Sequence, residues 1–250
     1  SLMYEPRFYR ENMGHDRFKS FRVCCMETDL WIGINKKSYL AEMEGYIYEK
    51  IKELRLQVEL YLKNDPKFFH SFSPVKALKN APKICKDMAG ASEKAGIGPK
   101  SSVAGAFSEY VGKEIEKKYS PEEIVIENGG DIYMKTNREL LLSVYAGDSP
   151  LSGKVGIKIP LEYSPLGVCT SSGTVGHSES FGKADALMLA CKNTMLADAL
   201  ATAFGNKIKS EGDINPVLEE INQIPEVLSA LIIKNDKMGI SGKFELTIFE

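Results

Sequence analysis

Strand-like apolar runs and stretches of helical period are mixed along this chain, joined mostly by connections of hairpin length. That mixture points to an α+β fold, a single domain with a mainly antiparallel sheet packed with helices, rather than a doubly wound parallel one. Ile124-Val125-Ile126-Glu127-Asn128 is interrupted at Gly129-Gly130 and resumes as Ile132-Tyr133-Met134. Further strands are expected at 17–23, 30–34, 140–145, 155–159, 167–170, 186–190 and 243–249, with another apolar segment at 227–233. Leu40, Met43, Ile47, Ile51, Leu54, Val58 and Tyr61 recur three or four apart, one stripe of a long helix expected to be capped by Ser38 and ended by Asn64-Asp65-Pro66. Helices are also expected over 82–95, 101–118, 194–204 (capped by Thr194) and 216–221. Residues 65–82 fit no pattern.

Charge narrows the functional classes. The 250 residues carry 32 Lys+Arg against 34 Asp+Glu, a net charge of -2 with both signs spread along the chain. Nucleic-acid binding is not expected, because phosphate recognition needs a basic surface. No apolar run approaches the ~20 residues that span a bilayer. Met3-Tyr4-Glu5-Pro6-Arg7 lacks the apolar core of a signal peptide, and Ser1-Leu2 reads as a cloning scar. The five cysteines form no CxxC pair, so reduced buried thiols in a cytoplasmic protein are expected.

Several familiar signatures fail on inspection. Gly147 to Lys154 and Gly176 to Ala184 resemble phosphate loops, but each has five residues between its glycines, and Val155 or Ala184 follows the Lys. There is no GxSxG elbow and no HExxH site, and His15, His70 and His177 lie far apart in sequence.

Four segments remain. Lys100 to Ala106, with Ser101 and Ser102, is a helix start whose small residues and free N–H groups suit an anion; close helix–sheet packing is the alternative. Asn128, Gly129, Gly130 and Asp131 form a bulge or turn where polar side chains can face a bound ring or ribose. Thr170, Ser171, Ser172 and Gly173 crowd hydroxyl donors after a strand, and read otherwise as a solvated loop. Asp198 and Thr202, four apart in an Ala- and Leu-rich helix, share one face. A carboxylate in apolar surroundings needs a partner, and one carboxylate, one hydroxyl and substrate phosphates suffice for magnesium. Backbone N–H groups are the other partner available to Asp198.

In this order the four segments resemble the ApbE superfamily, whose characterised members are magnesium-dependent FAD:protein FMN transferases with a T-fold-like architecture. The resemblance spans roughly 96–206 and implies that Asp198 and Thr202 are metal ligands, with the Ala104 backbone carbonyl as a third. Gly-Val-Cys-Thr-Ser-Ser-Gly followed by Ser180 to Ala186 is similar to a compact, largely uncharacterised branch, some of whose members are associated with sulfur assimilation in anaerobes. The transferases carry a His-Ile-Ile-Asp-Pro-like segment where this chain has His177 to Asp185. His177 and Asp185 are the candidate general bases.

Two functions follow from the resemblance. One is an enzyme that cleaves FAD or a related nucleotide diphosphate with magnesium, passing FMN to water or to a protein acceptor. The other is a non-catalytic flavin- or ligand-binding accessory protein. A scaffold role for all four segments is the plain alternative.

Overall fold

A computed structural model describes residues 17–173 and 182–249. Eight strands form one sheet in the spatial order β1 (Phe18–Cys25), β2 (Thr28–Asn35), β3 (Ile124–Asn128), β4 (Asp131–Lys135), β7 (Leu166–Ser171), β8 (Ala186–Cys191), β9 (Val227–Lys234) and β10 (Lys237–Gly242). β5 (Leu140–Ser143), β6 (Val155–Ile159) and β11 (Glu245–Ile248) form a second, smaller sheet. Every strand pairing among the described residues is antiparallel. The fold is therefore α+β with a mainly antiparallel sheet.

Alternation along β8 shows how the layers are built. Leu187, Leu189 and Cys191 enter the core shared with the helices, whereas Ala186, Met188 and Ala190 enter the core shared with the small sheet. A strand covered on both faces must be apolar throughout, and Ala-Leu-Met-Leu-Ala-Cys is. The helical layer consists of α1 (Glu42–Asn64), α2 (Lys67–His70), α3 (Lys83–Ala95), α4 (Val103–Tyr119), α5 (Thr194–Gly205) and α6 (Ile214–Asn222). Met43, Ile47, Ile51, Leu54, Val58 and Tyr61 are the buried stripe of α1, as the spacing predicts, but Leu40, expected in the same stripe, is exposed and precedes the helix.

Two expected caps are corrected. Ser38 does not cap α1; its hydroxyl accepts the Glu122 N–H, and the helix starts at Glu42. Thr194 is the first helical residue of α5, and Asn193 is the cap, accepting the Leu196 N–H through its side chain at 3.1 Å. Asn193→Ala is expected to cost about 1 kcal/mol, read from the urea midpoint. β10 was not anticipated. Its Lys-Met-Gly-Ile-Ser-Gly sequence has two glycines and no clear alternation, and it forms only because β9 offers an edge. Cys24 also departs from expectation, since it is exposed while the other four thiols are buried. No helix among the described residues is long and apolar enough to cross a membrane.

Candidate functional site

Asn128 and Asp131 are paired across the turn that joins β3 to β4, and the two residues between them both have positive φ, 58° at Gly129 and 105° at Gly130. This is the turn that Asn-Gly-Gly encodes, because a two-residue hairpin of this hand disfavours a Cβ. The β4–β7 register sets Asp131 opposite Cys169 and brings Gly130 to Thr170, whose N–H donates to the Gly130 carbonyl at 3.1 Å. Period two turns Asp131 and Cys169 to the helical face, beneath α4 and α5.

Asp198 meets them there. Its Oδ2 accepts the Gly105 N–H at 2.8 Å, and its carboxyl is hydrogen-bonded to that of Asp131, which in turn contacts the Cys169 thiol. Asp198 and Asp131 are 7% and 9% exposed. Burial, first of all, pushes both carboxyls above the usual carboxylate range, and Asp198 adds to the rise at Asp131 as a like charge. The Cys169 thiol is likewise pushed up by burial and the neighbouring carboxyls. A hydrogen bond between two carboxyl groups requires that one carry a proton.

The helix start expected to offer free N–H groups to a ligand therefore spends that of Gly105 on the chain's own carboxyl. The positive end of α4 favours such a carboxylate, for the same reason it would favour a phosphate. The Ser101 and Ser102 hydroxyls are also committed locally, donating to Gly98 O at 2.7 Å and Pro99 O at 2.9 Å. Thr202 lies one helical turn beyond Asp198, its hydroxyl donating to the Asp198 carbonyl at 3.2 Å. The Ala104 carbonyl accepts Asn128 Nδ2 at 3.2 Å and the Ser108 hydroxyl at 3.2 Å. Around the buried pair, Ala104, Asn128, Thr170, Ser171, Ser172 and Thr202 are all half-buried, while Gly129 and Gly173 are exposed. The cluster thus has a polar, partly open rim.

Asp185 immediately precedes β8, its Oδ2 accepting the Asn235 N–H at 2.6 Å. His15 and His177 fall outside the described residues, and His70 is exposed on α2. Two contacts went unanticipated: Asp131 against Asp198, and Cys169 against Asp131. The residue types were visible, but only strand register places positions 131, 169 and 198 together.

The oxygen atoms present fit the metal that the resemblance implies. Asp198 carboxylate, Thr202 hydroxyl and Ala104 carbonyl are hard donors of the kind magnesium accepts, the carbonyl on giving up Asn128 or Ser108. Among the described residues no basic side chain acts on the Asp131–Asp198 pair, so within them only a proton or a bound cation can offset its charge. Among the described residues no three His, Cys, Asp or Glu side chains stand arranged to hold an ion. The fit therefore rests on mixed oxygen donors.

Comparison with known proteins places the chain. A family model described as AbpE bacteria matches residues 10–220. The UPF0280 protein of Methanocaldococcus jannaschii is 38% identical over 227 residues, covering 89% of this chain and 90% of its own. That of Methanococcus vannielii is 40% identical over 204 residues, covering 80% and 82%. Among solved structures, the flavin transferase ApbE from Vibrio cholerae superposes with a TM-score of 0.55 at 14% identity, over 90% of this chain and 97% of the other. The apo flavinyl transferase ApbE of Pseudomonas stutzeri gives 0.52 at 12%, over 93% and 94%. At such identities the likeness is one of fold. On the family match and the identity to its relatives, this chain belongs to the AbpE bacteria family, alongside the UPF0280 proteins.

Proposed function

We propose that the protein is a magnesium-dependent enzyme that cleaves the pyrophosphate of FAD or a related nucleotide diphosphate, transferring FMN to a protein hydroxyl or to water. The observation that carries this reading is the buried Asp198 carboxyl, held between the Gly105 N–H and Asp131 with Thr202 one turn away on the same face. Asp198, Thr202 and the Ala104 carbonyl are the residues that would hold the ion. Bound there, magnesium would neutralise charge on the pyrophosphate and on the departing phosphate.

The chain's own residues supply position. Gly129 and Gly130 keep side-chain bulk away from the hairpin tip, so a flat ring or ribose can approach Asn128 and Asp131. Thr170, Ser171 and Ser172 bring hydroxyls to the anionic part, whereas the N–H groups of Thr170, Gly173 and Ser101 donate to the Gly130, Ala184 and Gly98 carbonyls. In the reaction the nucleophile's oxygen bonds to the flavin-side phosphorus, the bond from that phosphorus to the bridging oxygen breaks, and AMP leaves. The nucleophile's proton passes to the base, a role assigned to His177 or Asp185. Incubation with FAD and magnesium, followed by chromatography, is expected to yield AMP and FMN, or a flavinylated acceptor. FAD binding without turnover, with acceptor proteins present, would instead support the accessory-protein reading, which the His177–Asp185 interval favours by its departure from the transferases.

The carboxyl pair also predicts a pH dependence. Both groups are raised in the folded state, so the stability they contribute is full below the unfolded carboxylate range (about 3.9 for Asp) and falls as pH rises through their folded values. With chelator present, the melting temperature is expected to drop on going from mildly acidic to neutral pH. Magnesium should restore more of it at neutral than at acidic pH, and Asp131→Asn should flatten the chelated profile.

A further inference from the structure

Away from the carboxyl pair, α3, α4 and the start of α5 border an open groove of about 690 Å³. Gly90, Ala91, Met195 and Leu196 contribute small or apolar surface to it, and five lysines line it: Lys83, Lys86, Lys94, Lys113 and Lys192. Three carboxyls, those of Asp87, Glu109 and Glu114, also line it, and each is already engaged. Lys83 pairs with Asp87 at 2.9 Å, Lys113 with Glu109 at 3.7 Å, and Glu114 with Lys50 at 3.8 Å. Asp87 also accepts the Tyr110 hydroxyl. Among the described residues, Lys86 and Lys94 make no ion pair, and Lys192 donates only to the neutral Tyr163 carbonyl at 2.6 Å. Three cations are therefore uncompensated on one groove of a protein whose net charge is -2.

Their layout selects the ligand. The uncompensated Lys86 and Lys94 lie eight residues apart on α3, roughly 12 Å at 1.5 Å per residue. A single phosphate needs donors converging on one point, whereas charges strung out over that length match about four residues of an extended chain at roughly 3.3 Å each. A nucleic acid would carry dense charge past the groove onto a surface that is net negative overall. We propose that this groove docks an acidic, extended peptide segment of a protein partner, with carboxylates on Lys86, Lys94 and Lys192 and the peptide backbone over Gly90 and Ala91. The proposal is independent of the flavin reading, since no groove residue is assigned to the ion or the nucleotide.

Fluorescence anisotropy with a fluorescein-labelled hexaglutamate peptide tests it on the full chain. Binding at low salt is expected, weakening as salt rises because exposed charges are screened. The triple variant Lys86→Gln, Lys94→Gln, Lys192→Gln should raise Kd at least about tenfold. A control triple elsewhere on the surface, Lys63→Gln, Lys67→Gln, Lys237→Gln, should change it less than about twofold. All six lysines are exposed, so neither variant disturbs the core. No hexaglutamate binding at low salt overturns the proposal, as does an equal loss in both triples. A labelled single-stranded oligonucleotide that binds more tightly than hexaglutamate through the same three lysines would also overturn it, assigning the groove to nucleic acid.

Discussion

Asp198→Asn is expected to lower magnesium-dependent FAD cleavage by about 10²–10³-fold, the scale on which one preorganised electrostatic contact acts in a reaction that develops charge. The amide has nearly the same shape. Its oxygen can still accept the Gly105 N–H, and its NH₂ can donate to Asp131 without needing the shared proton. Metal-free stability should therefore hold or rise, because one of the two buried carboxyls can no longer ionise beside the other. Activity and stability would move in opposite directions, which separates a metal-binding role from a folding role. Two measurements decide it: product formation from FAD, and the shift in melting temperature on adding magnesium. Were the Asn variant to keep the full magnesium shift, Asp198 would not be a ligand and the proposed mechanism would lose its centre.

Gly167→Ala should be strongly destabilising, at about 3 kcal/mol. A Cβ at Gly167 would lie 2.4 Å from Thr194 Cα and 2.5 Å from its Oγ1, so α5 and β7 would have to separate. Overpacking of this kind costs about 1–3 kcal/mol or more when backbone must move. Because α5 carries Asp198 and Thr202, the displacement also pulls the donors away from Ala104 and Asp131. The urea midpoint should fall sharply, and magnesium should recover little of it. A variant with wild-type stability and a normal magnesium response would show that α5 does not depend on this contact for its position.

Local pattern accounts for much of the architecture. The α1 stripe, the β3–β4 turn and the two-sided apolar run of β8 were readable because each is enforced by a short-range rule: side-chain period, turn geometry, burial on both faces. The departures arise where a neighbour in space decides. Ser38 has the chemistry of a cap but spends its hydroxyl on Glu122, 84 positions away. β10 is weak as an isolated sequence and exists as the partner of β9. Ser101 and Ser102 look free at a helix start, yet the preceding tight turn uses both hydroxyls.

For the site, sequence alone determined that Asp198 and Thr202 share one helical face in apolar surroundings, since four residues span one turn whatever the fold. It also determined a turn with open backbone at Gly129-Gly130. Only the tertiary structure decided that Asp198 faces Asp131 and Cys169 and takes the Gly105 N–H. Those contacts join residues 67 and 93 positions apart in the chain, and they depend on the β4–β7 register and on α5 lying against α4. A one-residue slip in that register would turn Asp131 to the opposite face of the sheet and dissolve the pair. The charged groove was hidden for the same reason: its lysines come from three separate segments, and their lack of carboxylate partners exists only once those segments are packed.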